Sequence, residues 1–290
     1  MSAVKGDAAL LLLADSRLPA GGHAHSGGVE EAVRLGAVTG TDDLARFLRG
    51  RLATSGLVTA ALAAAACELA VSEVVRGPAA GRGGGAGADA DADADADGEP
   101  VAALWRRLDA EADARTASPA QREASRTQGR LLLRTARRMW PSAALDVLVR
   151  AVPDGPHHPV ALGAVAASAG CEPLQAALAA AYATVTGPAT AAVRLLGLDP
   201  VAVHRLLAGL APALDETAHA ACESLPDALP LDDEPYDEPY EEPGEEPDDR
   251  GTGRHAGRRA AWRALPGHGA PALDLLAEGH LTNPAKLFVS

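Results

Sequence analysis

Only two lysines, Lys5 and Lys286, occur in 290 residues, and neither is followed by Ser or Thr. A phosphate-binding loop ends its glycine-rich turn in Lys-Ser or Lys-Thr, so hydrolysis of GTP or ATP by this chain is excluded. Cysteine is nearly as scarce. Cys67, Cys171 and Cys222 stand far apart in Ala-rich stretches without a Cys-x-x-Cys pair, which excludes a zinc knuckle or a disulfide framework and leaves small buried hydrophobes in a reducing cytosol. No Gly-x-Ser-x-Gly elbow surrounds Ser26, no His-Glu-x-x-His is present, and Gly84-Gly85 is no dinucleotide fingerprint. The expectation is a protein without catalytic residues.

Aromatics are also few, at 3% of the chain against 47% hydrophobic residues. The core must therefore be built from Ala, Leu and Val. Ala has the best helix propensity, whereas strands favour aromatic and β-branched residues, and no sustained alternation of period two appears. Helix signals are frequent instead. Ser118-Pro119-Ala120-Gln121 reads as an N-cap with Pro in the first turn, Asp199-Pro200 repeats the pattern, and Ser142 opens Ala143 to Ala151. Thr41-Asp42-Asp43 precedes Leu44, Phe47, Leu48 and Leu52 at helical spacing. Gly163 with Ala167, and Ala166 with Gly170, place small residues one turn apart, which lets a second helix come close. The fold class is all-α, a single compact bundle of many short-to-medium helices spanning residues 1–290.

The formal charge of −13 is unevenly spread: 12 acids and no base fall in residues 226–249, and 6 more acids in residues 89–99. The remainder is basic. These acids lie in two low-complexity inserts, a Gly/Asp-Ala segment at 77–100 and a Pro-rich acidic one at 226–254, both expected to be disordered because they carry too little apolar surface to offset ordering. Ala8 to Ala14 is too short for a targeting segment and runs into Asp15 and Arg17. Ala176 to Val193 is uncharged, but Gly187-Pro188 interrupts it, which reads as a buried helix pair rather than a membrane span.

The helix from Ser118 carries Arg122, Arg126, Arg130 and Arg134 every four residues, with Arg137 and Arg138 extending the same side. Such a stripe suits an acidic partner or phosphate, and equally a solvated face. The other conspicuous stretch is Leu18 to Glu30, where Gly21-Gly22 and Gly27-Gly28 flank His23-x-His25 and a helix opens at Val29. Imidazoles two apart can share one metal where the backbone is extended, and nickel accepts imidazole nitrogen. Two ligands alone hold an ion weakly and transiently; the plainer alternative is that both rings pack and hydrogen-bond in the turn.

Ser16, Leu18, Pro19, Gly21, Gly22, His25, Ser26, Gly28, Val29 and Glu30 resemble the N-terminal motif of the UreF family of urease accessory proteins, with His23 where an aromatic is usual. Glu123 to Arg130, His157-His158-Pro159 through Gly163, Ala192 to Asp199, and His280 followed by Lys286-Leu287-Phe288-Val289-Ser290 are similar to further family stretches, with Lys286 and Val289 each replacing an Arg. The resemblance covers most of the chain outside the inserts. It implies an all-α, cytoplasmic, non-catalytic and commonly dimeric chaperone for nickel insertion into urease, with no tightly bound cofactor. The implied partners are UreD (also called UreH), the nickel-carrying GTPase UreG and apo-urease, with no nucleic acid and no membrane. It also implies that the tail, residues 281–290, binds UreD through Lys286, Leu287 and Phe288. The Arg122–Arg134 face is the second candidate contact, and His23 and His25 are candidates for a transient nickel stop. Two other readings stand beside it: a GTPase regulator without a metal role, and a helical nucleic-acid-binding protein, against which scarce aromatics and lysines count.

Overall fold

The computed structural model describes residues 6–15, 17–76, 90–225 and 262–289. Among them the chain is all-α, without a strand. Its helices are α1 (Asp7–Ala14), α2 (Val29–Arg34), α3 (Thr41–Arg51), α4 (Leu57–Arg76), α5 (Ala90–Ala114) and α6 (Pro119–Met139), followed by α7 (Ala143–Ala151), α8 (His158–Ser168), α9 (Pro173–Leu196), α10 (Pro200–Gly209), α11 (Ala211–Glu223) and α12 (Pro271–Leu281). A five-residue π-turn, Leu52–Gly56, joins α3 to α4.

The starts follow the sequence signals. Ser118 Oγ accepts from Gln121 N at 3.1 Å, Ser142 Oγ from Leu145 N, and Asp199 from Val201 N and Ala202 N, so each hydroxyl or carboxylate satisfies orphan donors of the first turn. Helix α8 is buried on every side from Pro159 to Ala166. It packs most extensively on α4, and α4 in turn on α9. An unbroken row of buried Ala from Ala63 to Ala66 and the bare Cα of Gly163 make that approach possible: a Cβ at Gly163 would sit 2.1 Å from Ala63 O. Two stretches, Thr41–Ser72 and Pro173–Leu196, are long and apolar enough to cross a membrane, but both are mostly buried in this core.

One expectation is corrected. Gly187-Pro188 does not divide the uncharged run into two helices, because α9 continues through Pro188. A proline leaves the carbonyl four residues back without its donor, here that of Thr184, and Arg51 Nε from α3 supplies one at 3.0 Å. Residues 77–89 lie outside the described residues, yet α5 starts at Ala90 inside the Asp-Ala run, as the helix propensity of Ala allows. The acidic insert at 226–254 lies outside the described residues as well. Just beyond it, the Arg115 guanidinium donates to the carbonyls of Trp262, Leu265 and Pro266 and pairs with Glu111, fixing the returning chain and the buried Trp262 to α5. All three cysteines are free; Cys67 and Cys171 are buried and Cys222 half-buried, and desolvation pushes the Cys222 thiol up to about 11, which disfavours the reactive thiolate.

Candidate functional site

The stretch from Pro19 to Glu30 is a receptor for the C-terminal tail. Consecutive left-handed glycines, Gly27 at φ 61° and Gly28 at φ 87°, turn the chain into α2, a conformation that L side chains adopt at a cost. The loop is held from outside: Thr135 Oγ1 on α6 donates to Pro19 O at 2.9 Å, and Arg51 Nη1 donates to Gly27 O at 2.8 Å. Gly22 begins a single 3-10 turn, Ser26 is fully buried, and Glu30 in the first turn of α2 is 5% exposed.

Glu30 accepts from Leu287 N at 2.5 Å and from Phe288 N at 3.2 Å. Val289 N donates to Ala24 O at 2.8 Å. His280 closes the arrangement, its Nε2 donating to Phe288 O at 3.2 Å while Nδ1 stands 3.5 Å from Glu30 Oε2. A buried carboxylate receiving two backbone N–H groups is a charge-assisted pair of hydrogen bonds. It explains why an acid is tolerated there. Phe288, expected with Lys286 and Leu287 to contact UreD, is 8% exposed and packs in the chain's own core. Lys286, Leu287 and Val289 are exposed, with Leu287 at 75%, so the outward side of the tail carries them and the inward side carries Phe288.

The histidines gather around a cavity of about 240 Å³. His25, His157, His158, His268 and His280 line it together with Arg51. His158 is pushed down to about 4, by burial first and then by the neighbouring His25. His157, 1% exposed, is also lowered by burial, against the hydrogen bond of its Nε2 to Asp113 at 2.8 Å. Near neutral pH the His157 and His158 rings are uncharged, the form that ligates metals. The His23-x-His25 stretch is described at the backbone alone at its first histidine. His25 is extended at φ −113°, ψ 126°, but His23 falls in the 3-10 turn Gly22–Ala24, and its side chain lies outside what the structure describes. Among the described residues no three His, Cys, Asp or Glu side chains are grouped to hold a metal ion.

Burial of His158 has a measurable consequence. Above pH 6.5 neither the folded nor the unfolded chain holds its proton. As pH falls from 6.5 towards 4 the unfolded chain takes up the proton and the folded one does not, so stability drops, and below about 4 the loss is complete. For this residue the loss is about 3 kcal/mol, and His157 adds to it in the same direction. Urea unfolding at pH 7.5 and pH 4.5 should show a clearly smaller difference in His158→Gln than in the parent. Equal differences would mean that His158 does not titrate this way.

The arginine stripe is partly spent inside the fold. Arg126, with its side chain 22% exposed, pairs with Asp109 at 2.8 Å and Asp113 at 3.0 Å and donates to Gly155 O. Arg122 caps the carbonyls of Thr116 and Ala117, Arg130 bonds Asp154 O and pairs with Glu123, and Arg137 pairs with Asp146. Counter-charges thus come from α5 and α7, not from Glu123 alone, and of the four residues expected at a partner surface only Arg130 and Arg134 are exposed. Sequence reasoning passed over Asp109 and Asp113. Their spacing of four, just ahead of a run of arginines, was the available signal. Gly129 lies under this junction, where a Cβ would meet Pro156 O at 2.0 Å.

The family model described as UreF matches residues 38–211. The chain is 48% identical over 218 residues to a urease accessory protein UreF of Mycobacterium sp. (strain JLS), covering 75% of this chain and 86% of that one. It is 46% identical over 220 residues to the protein of that name from Mycolicibacterium vanbaalenii, and 42% identical over 222 residues to that of Mycobacterium tuberculosis strain H37Rv, covering 76% of this chain and 87% of each relative.

Proposed function

Since the chain belongs to the UreF family of urease accessory proteins, which are not themselves enzymes, we propose that it works in cytoplasmic urease maturation by binding UreD (UreH) and bringing the GTPase UreG to apo-urease for nickel delivery, as a homodimer. The observation that supports this reading most is the clasp between the N-terminal motif and the tail. Glu30 and Ala24 hold residues 287–289 in one register, so Lys286, Leu287 and Val289 are presented outward as a preformed strip. Exposed apolar side chains on a pinned backbone bind at lower ordering cost than a free tail would. Arg130 and Arg134 remain as a nearby basic contact surface, and the missing phosphate-loop lysine leaves nucleotide hydrolysis to the partner.

Nickel is cargo in this reading, and the imidazoles around the cavity, His157 and His158 neutral among them, supply ligands of the right kind for brief contact. His23 and His25 remain candidates for such a stop. A second reading, regulation of the GTPase without contact to the metal, is favoured by the lack of a three-ligand group among the described residues.

The test is co-purification. Immobilised chain should retain UreD, and UreG in the presence of UreD. Replacement of Leu287 and Val289 together by Asp should abolish retention while leaving the helical circular dichroism unchanged. Retention of UreD by the doubly substituted chain at the parent's level would remove the tail from the interface.

A further inference from the structure

We propose that the cavity beside Arg51 binds one small oxyanion of the carboxylate or sulfate class. Arg51 reaches the cavity from the end of α3, and its contacts are all to carbonyls: Nε to Thr184 O and Nη1 to Gly27 O. Among the described residues no carboxylate pairs with it, and its Nη2 has no hydrogen bond. Burial alone pulls its pKa down to about 10, so the guanidinium stays charged at neutral pH. The Arg51 side chain is half-buried, and a charged group drawn that far from water without a carboxylate partner favours a counter-ion.

The rest of the wall has the same polarity. The first turn of α8 contributes His158 and Pro159; its leading N–H groups are already taken, His157 N by Asp109 and His158 N by Ser125 Oγ. Ser125 and Gln128 on α6 add neutral groups able to donate, whereas the Thr59 hydroxyl already donates to Ser55 O at 2.9 Å. Asp274 is the one acid on the wall among the described residues, and it already accepts from Ser118 N at 3.3 Å. Donors and positive charge therefore outnumber acceptors around a space large enough for a group of four or five heavy atoms. A planar or tetrahedral oxyanion would take Nη2 and one or two neutral donors, and would neutralise Arg51. This inference does not depend on the identity of the protein partners.

Titration of the full chain with sodium formate and sodium sulfate, at ionic strength held constant with chloride, tests it. One saturable site per chain is expected for at least one of the two probes. Binding should weaken about tenfold or more in Arg51→Gln, as loss of hydrogen bonds to a charged group implies, and should be unchanged in Arg17→Gln, whose side chain is 88% exposed. Because Arg51 also supports α9 at Pro188, a measurement on the unmodified protein is needed as well: crystals soaked in selenate should show anomalous density within hydrogen-bond reach of Arg51. Absence of saturable binding by both probes, equal weakening in both variants, or ordered selenate only elsewhere would overturn the proposal.

Discussion

Glu30→Ala should release the C-terminal tail without unfolding the helical core. The substitution removes the acceptor of Leu287 N and Phe288 N and the anion next to His280 Nδ1. Hydrogen bonds to a charged group contribute about 1.5–3 kcal/mol each, so loss of two shifts the tail equilibrium by about 3 kcal/mol or more, roughly hundredfold. Burial of Phe288, worth about 1.5–3 kcal/mol, is lost with it. Hydrogen exchange of the Leu287, Phe288 and Val289 amides should then accelerate by about two orders of magnitude, while amides of α4 and α8 keep their protection. UreD binding should fall too, because the outward strip loses its register. Unchanged exchange at those three amides would show that the tail is held by something other than Glu30.

The second large effect belongs to the core. Gly163→Ala places a Cβ 2.1 Å from Ala63 O and 2.7 Å from Ala66 Cβ. Both belong to α4, whose backbone cannot retreat without moving the face that packs on α9. Overpacking of this kind costs about 1–3 kcal/mol and occasionally more, and the obstacle here is a carbonyl rather than a pliable side chain, so the upper end, about 3 kcal/mol, is expected. For a chain of this size that is a fall in Tm of about 6–12 °C. Ala167→Gly, at a half-buried position one turn on, should lose only about 1 kcal/mol, through helix propensity. A Gly163→Ala protein as stable as the parent would mean that α4 and α8 slide freely past one another.

How far the sequence carried depended on whether the information was local. Caps at Ser118, Ser142 and Asp199 act within three residues and could be read directly. So could the small-residue spacing around Gly163 and the all-α class that scarce aromatics and abundant Ala imply. The N-terminal motif and the tail were each visible as separate stretches. Their union was not, because the bonds of Glu30 to Leu287 and Phe288 span more than 250 positions and leave no periodic trace. Arg51 illustrates the same limit: nothing near it in sequence shows that it supplies the donor missing at Pro188. The arginine stripe was legible as a helix face, but its partners Asp109, Asp113 and Asp146 sit on other helices, so charge counted along α6 alone overstated what is free. For His23 and His25 only the spacing was legible, and the 3-10 turn at Gly22–Ala24 is a feature of the backbone that spacing does not reveal.

The central claim, that this chain is a non-catalytic factor acting through its motif-and-tail clasp in urease maturation, is tested most directly by activation of purified apo-urease with UreD, UreG, GTP, bicarbonate and limiting nickel. Urease activity should appear with the full chain, fall to the level without it when residues 283–290 are removed, and be partly recovered in Glu30→Gln, which keeps one acceptor for the tail amides. Equal activation with and without this chain, or full activation by the shortened one, would contradict the account.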